Sequence, residues 1–227
     1  MKLLDGEYYG LTLRRRKGCF DKTIIHETAQ NYYSMPSILK TIIDIGAHVG
    51  TFSLMAVKAK GGASTVYAFE PEASNFELLV YNVEKNNAQD KIHCINKGVG
   101  KPGKTKLYIH PTNSGMATSF FDSTIPPSGP RAGVGFSLDR YQEVDFISIK
   151  EVFNVYGIEH CELLKMDCEG SELDIVNDID DDLANRISQI SIEIHEPSHV
   201  DRIREKLSAW FPTQGNPSPN IWVFQKG

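Results

Sequence analysis

The segment Asp44-Ile45-Gly46-Ala47-His48-Val49-Gly50 constrains this chain more than any other. Thr41–Ile45 is a short β-branched run, the mark of a buried strand. After the glycines, Val49, Phe52, Met55, Ala56 and Ala59 recur at helical spacing, and Gly61-Gly62 stops the helix. A strand that passes through a glycine turn into a helix opens a βαβ unit; the glycines permit the tight turn and close packing of helix on strand. Thr65–Phe69 predicts a second strand ending at Glu70, twenty residues past Gly50. A carboxylate at that place suits the hydroxyls of a ribose.

The same alternation continues. Pro71 is expected as the first residue of a helix with Phe76, Leu79 and Val83 on one face. Lys91–Val99 reads as a third strand and Lys104–His110 as a hairpin arm. Val144–Ile149 is followed by a helical stretch to Tyr156. Glu162–Met166, Gln189–His195 and Ile221–Gln225 read as further strands. Ser171 with Asp174, and Ser198 with Asp201, look like pairs that open helices. Strands alternating with helices predict an α/β, Rossmann-like domain over residues 41–227, with a mostly parallel seven-stranded-type sheet and helices on both faces. Residues 1–40 read as irregular, a candidate cap over the active site, and their run Arg14–Lys17 reads as a solvated edge. Residues 111–141 show no periodicity; a loop of that length is functional or disordered.

Ligands of such sheets bind outside the carboxyl ends of the strands. There the chain offers Asp44 to Gly50, Glu70, Asn96 to Gly100, Asp167 to Glu169 and Glu193 to His195. A dinucleotide site would have glycine at position 48, where this chain has His48, and the acid Asp44 stands inside the turn. A carboxylate beside a pyrophosphate is repelled, whereas one beside a cation is attracted. S-adenosylmethionine carries a ribose, a sulfonium and an amino group but no phosphate. The junction fits that cofactor better than NAD, with Asp44, Gly46, Ala47, His48, Gly50, Thr51, Glu70, Asn96 and Val99 as the candidate binding residues. His48 reads as a turn residue rather than a catalyst.

Methyl transfer from such a cofactor needs an oriented nucleophile, and where that nucleophile must lose a proton a positioned base contributes about 10²–10⁴-fold. Asp167, Glu169 and His195 are the candidate catalytic residues. His195 is the best single base at its ordinary pKa near ~6.5, with Asp167 orienting it or acting itself. Alternatively, carboxylates and a histidine could hold a divalent cation, although no metal-binding spacing stands out. Glu172 reads as a helix N-terminal carboxylate, and Glu193 as either a site residue or a buried hydrogen-bonding group.

In order, DIGAHVG (44–50), AFEP (68–71), KMDCEGSE (165–172) and EIH (193–195) resemble the FkbM-type methyltransferases over about residues 41–195. The resemblance implies a class I methyltransferase fold and O-methylation of a hydroxyl on a sugar, glycan or small metabolite. It also implies that Asp44, Gly46 and Gly50 hold the methionine end of the cofactor and Glu70 its ribose.

Three other readings compete. An NAD-dependent oxidoreductase or epimerase lacks its glycine at position 48. A non-catalytic cofactor-binding module would not need the convergent acids and histidine. An RNA or protein methyltransferase would need a basic or aromatic groove, for which Arg14–Lys17 with Tyr32 and Tyr33 is the sole hint. A net charge of −5 argues against a broad nucleic-acid footprint. No apolar run approaches the ~18 residues of a membrane span, and four scattered cysteines suit a reducing compartment, so a cytoplasmic protein is expected.

Overall fold

A computed structural model describes residues 2–30, 33–37, 40–59, 61–110, 117–118 and 140–226. Its centre is a seven-stranded sheet. The strands are β3 (Thr41–Ile45), β4 (Thr65–Phe69), β5 (Ile92–Ile95), β10 (Cys161–Met166), β11 (Ile187–Glu193), β12 (Thr213–Ser218) and β13 (Ile221–Gln225). They lie in the order β12-β13-β11-β10-β3-β4-β5. Neighbours from β5 to β11 pair parallel, while β13 runs antiparallel to both β11 and β12.

The strand sequences explain why both faces are covered. Side chains alternate across a strand, and a parallel sheet buried on both faces needs apolar residues at every position. Ile42, Val66, Ala68 and Leu163 join the apolar layer that contains α2 (Thr51–Lys58) and α3 (Ala73–Lys85). Ile43, Ile45, Phe69, Leu164 and Met166 join the opposite layer, with α4 (Ile149–Val155), α5 (Glu172–Asp178), α6 (Asp181–Asn185) and α7 (Val200–Ser208).

Several boundaries differ from the sequence reading. Glu72, not Pro71, opens α3: its carboxylate accepts from the backbone N–H groups of Ser74 and Asn75. The 91–99 run splits into β5 and the short β6 (Gly98–Val99), which leaves the main sheet to pair with β9 (Tyr141–Ile147). Strand β9 also pairs antiparallel with β7 (Gly103–Ile109), which pairs in turn with β8 (Ala117–Thr118). The remainder of the 111–141 loop, with Asn113, Ser114 and Ser119, lies outside the described residues. Ser171 stands at the N-cap of α5 but makes no side-chain capping bond, and α7 follows a 3₁₀ turn at Pro197–His199 rather than a cap at Ser198.

The N-terminal segment is not irregular. Strands β1 (Leu3–Tyr8) and β2 (Leu11–Arg16) form a hairpin, and α1 (Asp21–Ala29) follows. Tyr9 and Gly10 turn it with φ of 54° and 75°, the geometry of a two-residue hairpin loop. Leu11 and Leu13 are fully buried in the layer with α2 and α3. The basic run is a solvated edge only in part, with Lys17 exposed and Arg14 and Arg15 half-buried. Arg14 pairs with Asp5, and the buried Arg16 pairs with Asp21 and donates to Ser74 and Asn75 on α3.

Candidate active site

The carboxyl ends of β3, β4, β10 and β11 open onto a cleft of about 1210 Å³. Gly46, His48, Glu70, Val99, Asp167, Glu169 and His195 line it, as do Glu193 and Tyr33. Helix α1 supplies further wall through Thr23, Ile24 and Glu27. Asp44, Ala47, Gly50 and Thr51 are buried behind that wall. Asn96 is exposed, and its amide donates to the carbonyls of Glu70 and Pro71, fixing the chain after β4.

The glycine turn serves packing. A Cβ on Gly46 would sit 1.7 Å from the carbonyl oxygen of Asp167, and φ there is +78°. A Cβ on Gly50, where φ is +88°, would meet Leu79 Cδ1 of α3 at 2.7 Å. Only glycine satisfies both the left-handed backbone and the close approach. His48 holds a left-handed φ of 51° in the same turn, and its backbone N–H donates to Glu70 Oε2 at 2.9 Å. Burial pulls the His48 imidazole down to about 4, so it is neutral at pH 7.

Asp44 was expected to face a cofactor cation. The cation it meets is instead Lys165 of β10, whose Nζ lies 3.1 Å from Asp44 Oδ1, and Ser53 Oγ donates to Asp44 Oδ2 at 2.6 Å. Register explains the meeting: Lys165 is the parallel-sheet partner of Asp44. Lys165 also donates to the carbonyl of Gly46 at 2.9 Å and stands 3.7 Å from Asp167. Burial disfavours its charge, but Asp44 and Asp167 outweigh that and raise its pKa.

Glu70 is buried at 5% exposure and accepts three bonds, from His48 N, Glu72 N (2.9 Å) and Asn75 Nδ2 (3.3 Å). Burial pushes its carboxyl up to about 7, because these donors do not fully replace water. A carboxylate has about four lone-pair sites. Among the described residues three of them are taken, two on Oε1 and one on Oε2.

At the ends of β10 and β11, acids surround one histidine. His195 lies two residues past the end of β11. Its Nδ1 is 2.7 Å from Glu172 Oε1; its Nε2 is 3.5 Å from Glu169, 3.6 Å from Asp167 and 3.8 Å from Glu193. Burial disfavours the imidazolium, but Glu169, Glu172 and Asp167 more than offset it and lift the pKa to about 10. That shift favours the imidazolium near pH 7, a form with no lone pair to offer, and so speaks against the expected neutral histidine base. Asp167 is held below the usual carboxylate range, since Lys165 and His195 overcome the burial that raises it. Burial and Asp167 hold Glu193 above that range. Tyr33 completes the group, with its hydroxyl 2.6 Å from Asp167 Oδ2 and 3.0 Å from Glu193 Oε2. One donor atom each from Asp167, Glu193 and His195 lies within 4.8 Å of the others, a span one divalent cation can bridge. The proton on His195 would have to leave first.

The structure brings Asp167 and Glu169 beside His195, as the sequence reading expected; that reading gave no role to Lys165, and gave Glu172 only its place in the first turn of α5, not its contact with His195. Lys165 was legible in principle, as a charged residue in the apolar run that follows the half-buried Glu162 in β10. The role of Glu172 was not, because its partner is twenty-three residues away and set by the tertiary fold.

The Methyltransferase FkbM domain matches residues 44–211 of this chain. Methyltransferase sdnD of Sordaria araneosa is 26% identical over 191 residues, covering 77% of this chain and 72% of that one. Methyltransferase 1 of Beauveria bassiana is 26% identical over 164 residues, covering 67% and 64%. Among solved structures, the FkbM methyltransferase of Methylobacillus flagellatus KT superposes with a TM-score of 0.50 at 17% identity, covering 82% of this chain. The chain spans 43% of that larger protein. With its fold, its cleft and a family match over most of its length, the chain belongs to the FkbM methyltransferase domain family and is a methyltransferase.

Proposed function

We propose that this chain moves the methyl group of S-adenosylmethionine to a hydroxyl of a sugar, glycan or other small metabolite. The observation that carries the cofactor assignment is the charge of the cleft. Glu27, Glu70, Asp167, Glu169, Glu193 and Glu196 line it against Lys97 and the imidazolium of His195. Opposite charges about 6 Å apart attract by about 3 kcal/mol at an effective dielectric of ~20, and like charges repel equally. Such walls suit a sulfonium and an amino group and repel a pyrophosphate. Glu70 would hold the ribose, and Gly46 and His48 would pass the cofactor along the turn.

The cofactor, when bound, supplies an activated methyl electrophile. The chain's own residues then have one chemical task, removing the hydroxyl proton in a site that orients the acceptor. Asp167 is ionised, faces the cleft and is the group to receive that proton. The His195 imidazolium, tied by Glu172, holds Asp167 in place and keeps it charged. Helix α1 and Tyr33 wall the acceptor side. The hint of an RNA or protein substrate weakens, because Arg14 and Arg16 are paired within the N-terminal fold and Tyr33 is in the cleft. Four free thiols suit a cytoplasmic setting.

The test is transfer of label from methyl-labelled S-adenosylmethionine into a metabolite extract, with identification of the labelled product. An O-methyl ether supports the reading. Label on nitrogen, or none in any product, contradicts it.

A further inference from the structure

Tyr33 lies outside the family-matched residues 44–211, in the segment between α1 and β3. It nevertheless reaches the centre of the cleft. At 6% exposure, its ring packs edge-on against Phe52 of α2, with centroids 5.8 Å apart, and Lys165 Nζ stands 5.1 Å from its ring centre. These contacts pin the ring, so the position of the hydroxyl is fixed. That hydroxyl has a single proton and lies within hydrogen-bond distance of two carboxylates, one from β10's end and one from β11's.

We propose that Tyr33 is a positioning residue for the methyl transfer, whose hydroxyl bridges Asp167 and Glu193 and passes on to Glu193 the proton that Asp167 takes from the acceptor. The inference rests on the hydroxyl-methylation reading above. When the acceptor oxygen attacks the sulfonium methyl, a C–O bond forms, the S–C pair stays on sulfur as a thioether, and one proton is surplus. Asp167 takes that proton as the acceptor O–H bond breaks. Tyr33 then gives its hydroxyl proton to Glu193 Oε2 and receives the proton from Asp167. The phenol ends unchanged, Asp167 is ionised again, and Glu193 holds the proton until it passes to solvent.

The surroundings favour that direction. Lys165 Nζ at 3.7 Å and His195 Nε2 at 3.6 Å both stand beside Asp167 and stabilise its anion, whereas among the described residues Glu193 has only His195, at 3.8 Å, within ion-pair distance. Burial and the two carboxylates hold the Tyr33 phenol well above its ordinary pKa, so it keeps its proton and acts by exchange rather than by ionising.

Two measurements test this. The first needs no acceptor: proton NMR on the whole chain follows the Tyr33 hydroxyl. A slowly exchanging, strongly downfield proton is expected, absent in Tyr33→Phe and shifted in both Asp167→Asn and Glu193→Gln. Its absence from the native protein, or its indifference to either substitution, overturns the bridge. The second compares turnover of labelled S-adenosylmethionine with a metabolite extract as the acceptor source. Tyr33→Phe keeps the ring on Phe52 and beneath Lys165, so cofactor affinity should hold while turnover falls by about 10–100-fold. The solvent deuterium effect on turnover should shrink as well. Native turnover in Tyr33→Phe, or a loss explained wholly by weaker cofactor binding, overturns the relay. If the native chain itself labels no hydroxyl, the methylation reading fails and the relay with it, while the NMR result still decides the bridge.

Discussion

Replacing Glu70 by Gln should make the protein more stable and a poorer binder of its cofactor. Glu70 is 5% exposed, accepts three hydrogen bonds and, among the described residues, forms no ion pair; burial lifts its carboxyl from 4.5 to about 7. A group whose folded pKa is raised binds its proton more tightly in the folded state. Its contribution is therefore fully present below pH 4.5 and is lost as pH rises through about 7. At ~1.36 kcal/mol per unit, the ionised form costs about 3 kcal/mol at pH 8. Gln removes that cost but has only one accepting oxygen, so either the His48 or the Glu72 amide loses its partner, at about 1 kcal/mol. The net expectation is a gain of about 2 kcal/mol at pH 8 and a loss of about 1 kcal/mol at pH 4.5. For a chain of this size the pH 8 gain amounts to a rise of about 4–8 °C in Tm. Urea melts of both proteins at intervals between pH 4.5 and 8 measure the difference directly. Affinity for S-adenosylmethionine should fall about 10–100-fold, because a charge-assisted bond to the ribose weakens. A stability difference that does not change with pH would refute the reasoning, as would a Gln variant that binds the cofactor normally.

The other predictions concern the residues around that turn. Lys165→Met should destabilise by about 3–5 kcal/mol, because it leaves Asp44 charged and buried without its partner; a chemical melt within 1 kcal/mol of native, about the size of an ordinary surface change, would contradict the pairing. Gly46→Ala puts a Cβ 1.7 Å from the Asp167 carbonyl at a φ of +78°, and should displace the Asp167 loop. Normal expression, melting temperature and cofactor affinity in that variant would show that the backbone contact is not needed. NMR titration of labelled histidine should place the His195 midpoint near 10, far above an ordinary imidazole, and adding a chelator should leave the native turnover unchanged. A midpoint near 6.5, the ordinary histidine value, would restore the neutral-base mechanism, and loss of activity on chelation, reversed by a divalent cation, would favour a metal.

The sheet was legible because its signals are local. β-Branched runs such as Thr65–Phe69 and the glycine turn after β3 need no tertiary information, and the structure puts β4 at the predicted residues. The N-terminal hairpin was obscured because the arginines of β2 hide the alternation of Leu11 and Leu13, and because Tyr9 and Gly10 are not the usual pair for such a turn. Positions in the site were also legible: strand ends fall on one sheet edge, so Glu70, Asp167, Glu169 and His195 had to gather there. Their protonation was not. The charge on His195 depends on Glu172 and Glu169 folding back toward it, and the fate of Asp44 depends on a cross-strand lysine 121 residues away.

The central claim is that this acidic cleft takes a cationic, phosphate-free nucleotide cofactor. Calorimetric titration of the chain with S-adenosylmethionine and, separately, with NAD tests it most directly. The account predicts saturable one-to-one binding of S-adenosylmethionine that Glu70→Gln weakens, and no measurable binding of NAD. Binding of NAD with comparable affinity, or no binding of S-adenosylmethionine to the folded chain, would contradict it.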